Sequence, residues 1–173
     1  MNNIFDFYYQ WFAIFCLYAF NSNITLNHYN VMYSEDSDNT ATIVQEPPPM
    51  PLFLTVDDEP NINWALGRLI AQRGFPVHHA LCGAEAIELS MSHRYSGIFV
   101  DAKLPDIEGP QLITRLRQIQ ASPFIILISG YFFPGDPAVE QALQSGLIQA
   151  FISKPFLHEE ILALIERIAS AAR

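Results

Sequence analysis

From residue 52 onward, short apolar runs alternate with stretches of helical period. Residues 52–56 are a first apolar run. Ile62, Leu66, Leu69 and Ile70 then recur at i, i+4, i+7 and i+8, one face of a helix over 61–73. Gly74 stands where a helix C-terminus takes a left-handed residue. Residues 76–80 read as a second, weaker strand. Residues 83–92 read as a helix with Ala84, Ile87 and Met91 on its inner side. A third strand covers 97–100. Pro110 suits the first turn of a helix that runs to about 119. Residues 124–128 are an uninterrupted apolar strand of the doubly buried kind. Asp136 and Pro137 open a helix that ends by Gly146. A fifth strand covers 150–152. Leu157, Ile161, Leu164, Ile165 and Ile168 give a last helix its buried stripe.

Five strands alternating with five helices predict an α/β domain, a doubly wound parallel sheet with helices on both faces. Sites in such sheets lie beyond the carboxyl ends of the strands. The residues at those ends matter most. Asp57 and Asp58 follow the first strand and Asp101 the third; Ser129 follows the fourth and Lys154 the fifth. Three carboxylates in one place raise each other's pKa unless a cation lies between them. Mg2+ suits them, being hard, octahedral and completed by waters and phosphate oxygens. An aspartate can attack phosphorus. The transferring group then needs a positive charge and a donor, which Lys154 and Ser129 supply.

Residues 1–50 follow another pattern. Residues 4–20 are apolar and aromatic, but Asp6 and Gln10 leave only 11–20 uninterrupted. A membrane span needs about 20 such residues, and a secretory leader needs a basic start that is missing here. The expectation is a hydrophobic extension over 1–31, with a membrane anchor as the weaker alternative, an acidic and Pro-rich linker over 32–51, and a folded domain over 52–173. Met32 and Met50 are both plausible alternative starts.

The net charge of −9 argues against a nucleic-acid surface, which needs clustered Lys and Arg. Five of the 18 acids lie before residue 51, leaving 13 against nine bases beyond it. Cys16 and Cys82 are too few for a disulfide framework, so a reduced, cytoplasmic setting is expected.

The stretches VDDEP (56–60), VDAKLPDIEG (100–109), ISG (128–130) and KPF (154–156) resemble the receiver domain of two-component response regulators over residues 52–173. The wording around Ser129 and Lys154 is similar to receivers attached to hybrid histidine kinases. The resemblance implies a flavodoxin-like fold with strand order 2-1-3-4-5. It implies that Asp101 is the phosphoacceptor, and that Asp57, Asp58, Asp101 and the Ala102 carbonyl hold Mg2+. Ser129 and Lys154 would be the switch hydroxyl and phosphate-binding lysine. Phe151 would be the aromatic switch residue, turning inward from an exposed position, and the Lys154–Pro155 bond a candidate cis peptide. The implied partners are a sensor histidine kinase or histidine phosphotransfer protein. A downstream protein would read the face made by the fourth helix, fifth strand and fifth helix. Homodimerisation stays open.

Lys103 and Tyr131 flank the expected path of an attacking water and would slow loss of the phosphoryl group; the bland alternative is two solvated loop residues. A haloacid-dehalogenase-like phosphatase or phosphotransferase, with an aspartyl-phosphate intermediate, needs a second acid two residues past the nucleophile. Lys103 stands there instead. A non-phosphorylated scaffold of the same fold is the third reading. Because the chain stops soon after the fifth helix, no output domain is expected. His78 and His79 lack partners at metal-ligand spacing. Cys82 is read as a small buried side chain, and the loop after the fourth strand, with Phe132 and Phe133, as packing on the sheet edge.

Overall fold

The computed structural model describes residues 50–172 and two short strands before them. It divides the chain into two units, Met1–Pro47 and Pro48–Arg173. In the first, Tyr29–Asn30 pairs antiparallel with Val44–Gln45. The expectations for the apolar stretch 4–20 and for the rest of the linker lie outside the described residues. Among the described residues, no helix is long and apolar enough to cross a membrane.

The second unit carries five strands: β1 Phe53–Val56, β2 Val77–Ala80, β3 Gly97–Asp101, β4 Phe124–Ser129 and β5 Ala150–Ser153. The helices between and after them are α1 Pro60–Gln72, α2 Gly83–Ser92, α3 Gly109–Ile119, α4 Pro137–Gln144 and α5 His158–Ala171. All strand pairs are parallel, in the order 2-1-3-4-5. The doubly wound parallel sheet is what the alternation of the two periods predicts, and the flavodoxin-like order is what the receiver resemblance implies.

Alternate strand residues point to opposite faces, which splits the core in two. Leu54, Val56, Ile98, Val100, Ile125 and Leu127 pack under α2 and α3 with Ala86, Leu112 and Leu116. Phe53, Phe99, Ile126 and Ile128 pack under α1 and α5 with Leu66, Ile70, Ile161 and Ile165. Both faces of β3 and β4 are buried, so their sequences are continuous apolar runs. Gly74, with φ +82°, follows α1 in the left-handed region, as the C-terminal signal predicts.

The inner side of α2 differs from the expectation. Its fully buried residues are Gly83, Ala86 and Ser90, while Ala84 is exposed and Met91 is 68% exposed. Ile87 alone of the predicted stripe is half-buried. A Cβ at Gly83 would run into the Ile107 side chain. Small residues let the helix sit close, so its inner face is marked by size rather than by hydrophobicity.

Candidate functional site

Strand register assembles the site. Val56 lies opposite Val100, Asp101 opposite Ile128, and Ser129 opposite Ser153. The first residues past or at these ends therefore share one edge. Asp57 follows β1, Asp101 closes β3, Ser129 closes β4, and Lys154 follows β5, its N–H donating to the Ser129 carbonyl at 2.7 Å.

Lys154 links the two strand-end acids. Its Nζ lies 2.7 Å from Asp101 Oδ1 and 2.8 Å from Asp57 Oδ2, with Glu59 farther off at 3.8 Å. Asp101 Oδ2 accepts from the Lys103 N–H at 2.7 Å, so both oxygens of Asp101 are engaged. Asp57 is 1% exposed, and its other oxygen accepts from the Glu59 N–H at 2.9 Å. Burial pushes the Asp57 carboxyl above its usual value, and the hydrogen bonds from Lys154 and Glu59 only partly offset this. Burial pulls Lys154 down, but its bonds to Asp101 and Asp57 outweigh that and leave it raised. The Lys154–Pro155 peptide bond is cis.

Above this pair opens a cleft of about 490 Å³, lined by Asp58, Glu59, Asp101, Lys103, Gly130, Tyr131 and Lys154 among others. Asp57 lies beneath it, not in it. Among the described residues no three His, Cys, Asp or Glu side chains lie close enough to share a metal ion. The expected cage of Asp57, Asp58 and Asp101 is thus not preassembled: an ammonium occupies the space between Asp57 and Asp101. The cleft still fits Mg2+, which takes only one or two carboxylates and keeps several waters. Asp58 and Asp101 both face it.

The Ala102 carbonyl does not belong to the cleft. It accepts from the Gly109 N–H at 2.8 Å, and Ala102 is buried. That bond closes the turn into α3. The next residue, Lys103, does line the cleft.

Ser129 is fully buried, and its Oγ accepts from the N–H of Tyr131 at 2.9 Å and of Phe132 at 3.1 Å. The Lys103 ammonium stands over the Tyr131 ring, 5.2 Å from its centre, and Tyr131 is 69% exposed. Phe151 is half-buried against the core under α2 and α3, where an exposed position was expected. It sits on the edge strand, where the core is thinner but not open. Phe132 packs partly on the core, whereas Phe133 is exposed. Cys82 is a half-buried free thiol at the N-cap of α2.

Three supporting residues carry no sequence signal strong enough to single them out. Asn63 Nδ2 donates to the carbonyls of Asp57 at 2.7 Å and Ala80 at 2.9 Å. Asp106 accepts from the Gly83 and Ala84 N–H groups, both at 2.8 Å, capping α2 from the loop after β3. Gln120 donates to the carbonyls of Ser90 and His93 and accepts from the Tyr95 N–H. The run from Asp106 to Gly109 hints at a turn; nothing in the sequence hints at the other two.

A 2-1-3-4-5 sheet with acids, a lysine and a buried hydroxyl at its carboxyl edge defines a flavodoxin-like signalling domain. The chain belongs to the response regulator receiver family: the model of the response regulator receiver domain matches residues 53–166. It is 32% identical over 117 residues to the transcriptional regulatory protein SrrA of Staphylococcus aureus, covering 67% of this chain and 46% of that protein. The chain therefore spans about half the length of the curated relatives it matches. Among solved structures it is similar to a CheY-like receiver domain protein from Methanospirillum hungatei (TM-score 0.65, 21% identity, 72% of this chain and 97% of that one), a likeness of fold. It is also similar to a response regulator from Burkholderia pseudomallei with a phosphorylated aspartic acid, calcium ion and citrate (TM-score 0.60, 30% identity, 70% and 69%). A third is the response regulator TrrA from Thermotoga maritima in complex with Mg2+-BeF (TM-score 0.59, 26% identity, 69% and 99%).

Proposed function

We propose that Asp101 accepts a phosphoryl group from a phosphohistidine on a sensor histidine kinase or histidine phosphotransfer protein. One observation carries this reading. Asp101 lines an open cleft with an ammonium 2.7 Å from one carboxylate oxygen, beside a second acid, Asp58. The step joins an Asp101 oxygen to phosphorus and breaks the P–N bond, and the leaving imidazole takes a proton. Asp58, Asp101 and the main-chain oxygen of Lys103, rather than that of Ala102, would hold Mg2+, which supplies neutralising charge on the phosphoryl oxygens. The relatives support this: one carries a phosphorylated aspartic acid with calcium, another Mg2+-BeF.

Lys154 is already desolvated and paired, so it exchanges one anionic partner for another as the phosphoryl group arrives. Ser129 turns its hydroxyl from the loop N–H groups to a phosphoryl oxygen. Phe151 then moves deeper from its half-buried position. The surface of α4, β5 and α5 changes with it and is read by a downstream protein. Of the residues in α4 only Val139 is fully buried, so that helix is the least anchored of the five. The change is a bias on an existing equilibrium. The domain is a signalling receiver, not an enzyme of multiple turnover: at the position where a phosphatase of this chemistry places its acid stands Lys103.

Lys103 and Tyr131 form a cation–π pair over the cleft mouth and slow the approach of hydrolytic water. Incubation with acetyl phosphate and Mg2+, followed by intact-mass measurement, tests the whole reading. One phosphoryl adduct is expected on the parent and none on Asp101→Asn. An adduct surviving in Asp101→Asn would move the acceptor. No adduct on the parent would favour a scaffold, and rapid turnover of small phosphate esters would favour an enzyme. Faster adduct loss in Tyr131→Ala and Lys103→Ala is expected; unchanged lifetimes would remove the pair from the mechanism.

A further inference from the structure

Two imidazoles meet away from the acid cleft, toward the amino end of the edge strand β2. His78 lies on that strand, and His93 caps the C-terminus of α2. Their ring centres are 4.6 Å apart and the planes are inclined by 78°. His93 Nδ1 lies 3.3 Å from the Leu89 carbonyl. A carbonyl only accepts, so the proton is on Nδ1 and the Nε2 lone pair is free. His78 Nδ1 lies 2.8 Å from the Tyr95 hydroxyl. When Nδ1–H donates to that oxygen, the His78 Nε2 lone pair is free as well. A ring nitrogen held by an oxygen acceptor on its far side is the arrangement that orients a metal-binding histidine.

The spacing agrees. With a metal–nitrogen bond of about 2.0–2.1 Å and a ring centre about 1.1 Å beyond the nitrogen, two imidazoles at a near-tetrahedral angle have centres roughly 5 Å apart. The segment is also fixed in place. Gln120 Nε2 donates to the His93 carbonyl at 2.9 Å, and Gln120 Oε1 accepts from the Tyr95 N–H at 3.0 Å. His93 is exposed and His78 half-buried, so one side faces solvent. His79 takes no part; its Nδ1 pairs with Thr55 Oγ1 at 2.8 Å.

We propose that His78 and His93 form a two-imidazole site for a late first-row divalent cation such as Zn2+. Tyr95 orients His78, and water completes the coordination. Imidazole nitrogen prefers such ions over Mg2+, so the site is independent of the acid cleft. Bound metal ties the edge strand to the α2–β3 connection.

Zn2+ titrated into the full chain by calorimetry, with Mg2+ in excess to occupy the cleft, tests this. One saturable event is expected, lost in His93→Gln and His78→Gln, weakened about tenfold in Tyr95→Phe, and kept in His158→Gln. His93 is exposed, so its replacement leaves the fold intact. Zinc-induced shifts of both ring resonances in the unsubstituted chain give a readout that needs no variant. No saturable heat, heat indifferent to His93→Gln, or unshifted rings would reduce the pair to an edge-to-face ring contact.

Discussion

The Lys154 ammonium stands 2.8 Å from an Asp57 carboxylate that lies 97 positions earlier in the chain. Asp57 is buried and its pKa is already raised, so it depends on that ammonium for compensation. Lys154→Met removes it and leaves Asp57 facing Asp101. The variant should be less stable than the parent by about 3 kcal/mol at neutral pH, the cost of breaking a buried pair from one side. Losing Lys154 raises Asp57 further. The deficit should shrink as pH falls through that raised value and the carboxyl takes up its proton. Adding Asp57→Asn should recover most of the loss. Denaturant unfolding at neutral and mildly acid pH checks both; a deficit that ignores pH would contradict the account. Lys154 itself has a raised pKa. Its contribution is present in full below its unfolded value of 10.5 and is lost as pH rises through the folded one, so the alkaline limb of the parent should be absent from Lys154→Met.

Asp106 caps a helix to which it does not belong. Asp106→Ala leaves the Gly83 and Ala84 N–H groups to water and should cost about 1 kcal/mol. The hydrogen bond from Gly83 holds the Asp106 pKa below 3.8 against the opposing effect of burial, with further help from the Ala84 and Asp106 N–H groups and from Arg115. The stabilisation is therefore present above the unfolded pKa and lost as pH falls through the lower folded one. Parent and variant should converge only in strong acid. Urea melts across the acid range would show whether they do.

The buried Ser129 hydroxyl holds the loop that follows it. In Ser129→Ala the Tyr131 and Phe132 N–H groups lose their acceptor, for a loss of about 1–3 kcal/mol. Amide exchange at those two residues should accelerate relative to Ile126 and Ile128 in β4. Equal protection in parent and variant would mean that the hydroxyl does not secure the loop.

Gly109 starts α3 against the backbone of the acid strand. A Cβ there would land on the Asp101 carbonyl and lie 2.8 Å from the Ala102 Cα. Both are main-chain atoms and cannot swing aside. Gly109→Ala should cost at least about 2 kcal/mol and reduce phosphoryl uptake by displacing Asp101. A variant that keeps the parent's thermal midpoint would show that the turn has more room than the structure allows.

The strand ends were legible because a buried parallel strand is an unbroken apolar run, and the first polar residue beyond it marks the edge. Asp101 and Ser129 could be placed on that basis alone; Lys154 lies one residue past Ser153, the first polar residue after the fifth run. The direction of a carbonyl could not: Ala102 and Lys103 are adjacent, and only the turn into α3 decides which oxygen is consumed. Met91 was misplaced because hydrophobicity hides a helix face built from Gly83, Ala86 and Ser90. Gln120 and Asn63 are single polar residues whose partners lie 17 to 30 positions away, Asp57 apart, so no local pattern marks them.

Asn63 has a mechanical consequence. Its amide bonds the carbonyls at the ends of two neighbouring strands, serving as a last rung supplied by a helix. A shift of α1 by a single residue's rise, about 1.5 Å, would stretch both bonds. The helix and the peptide that carries Asp57 are thus geared together. Trp64, one residue along, is 65% exposed, so the helix that supplies this rung also reaches the surface.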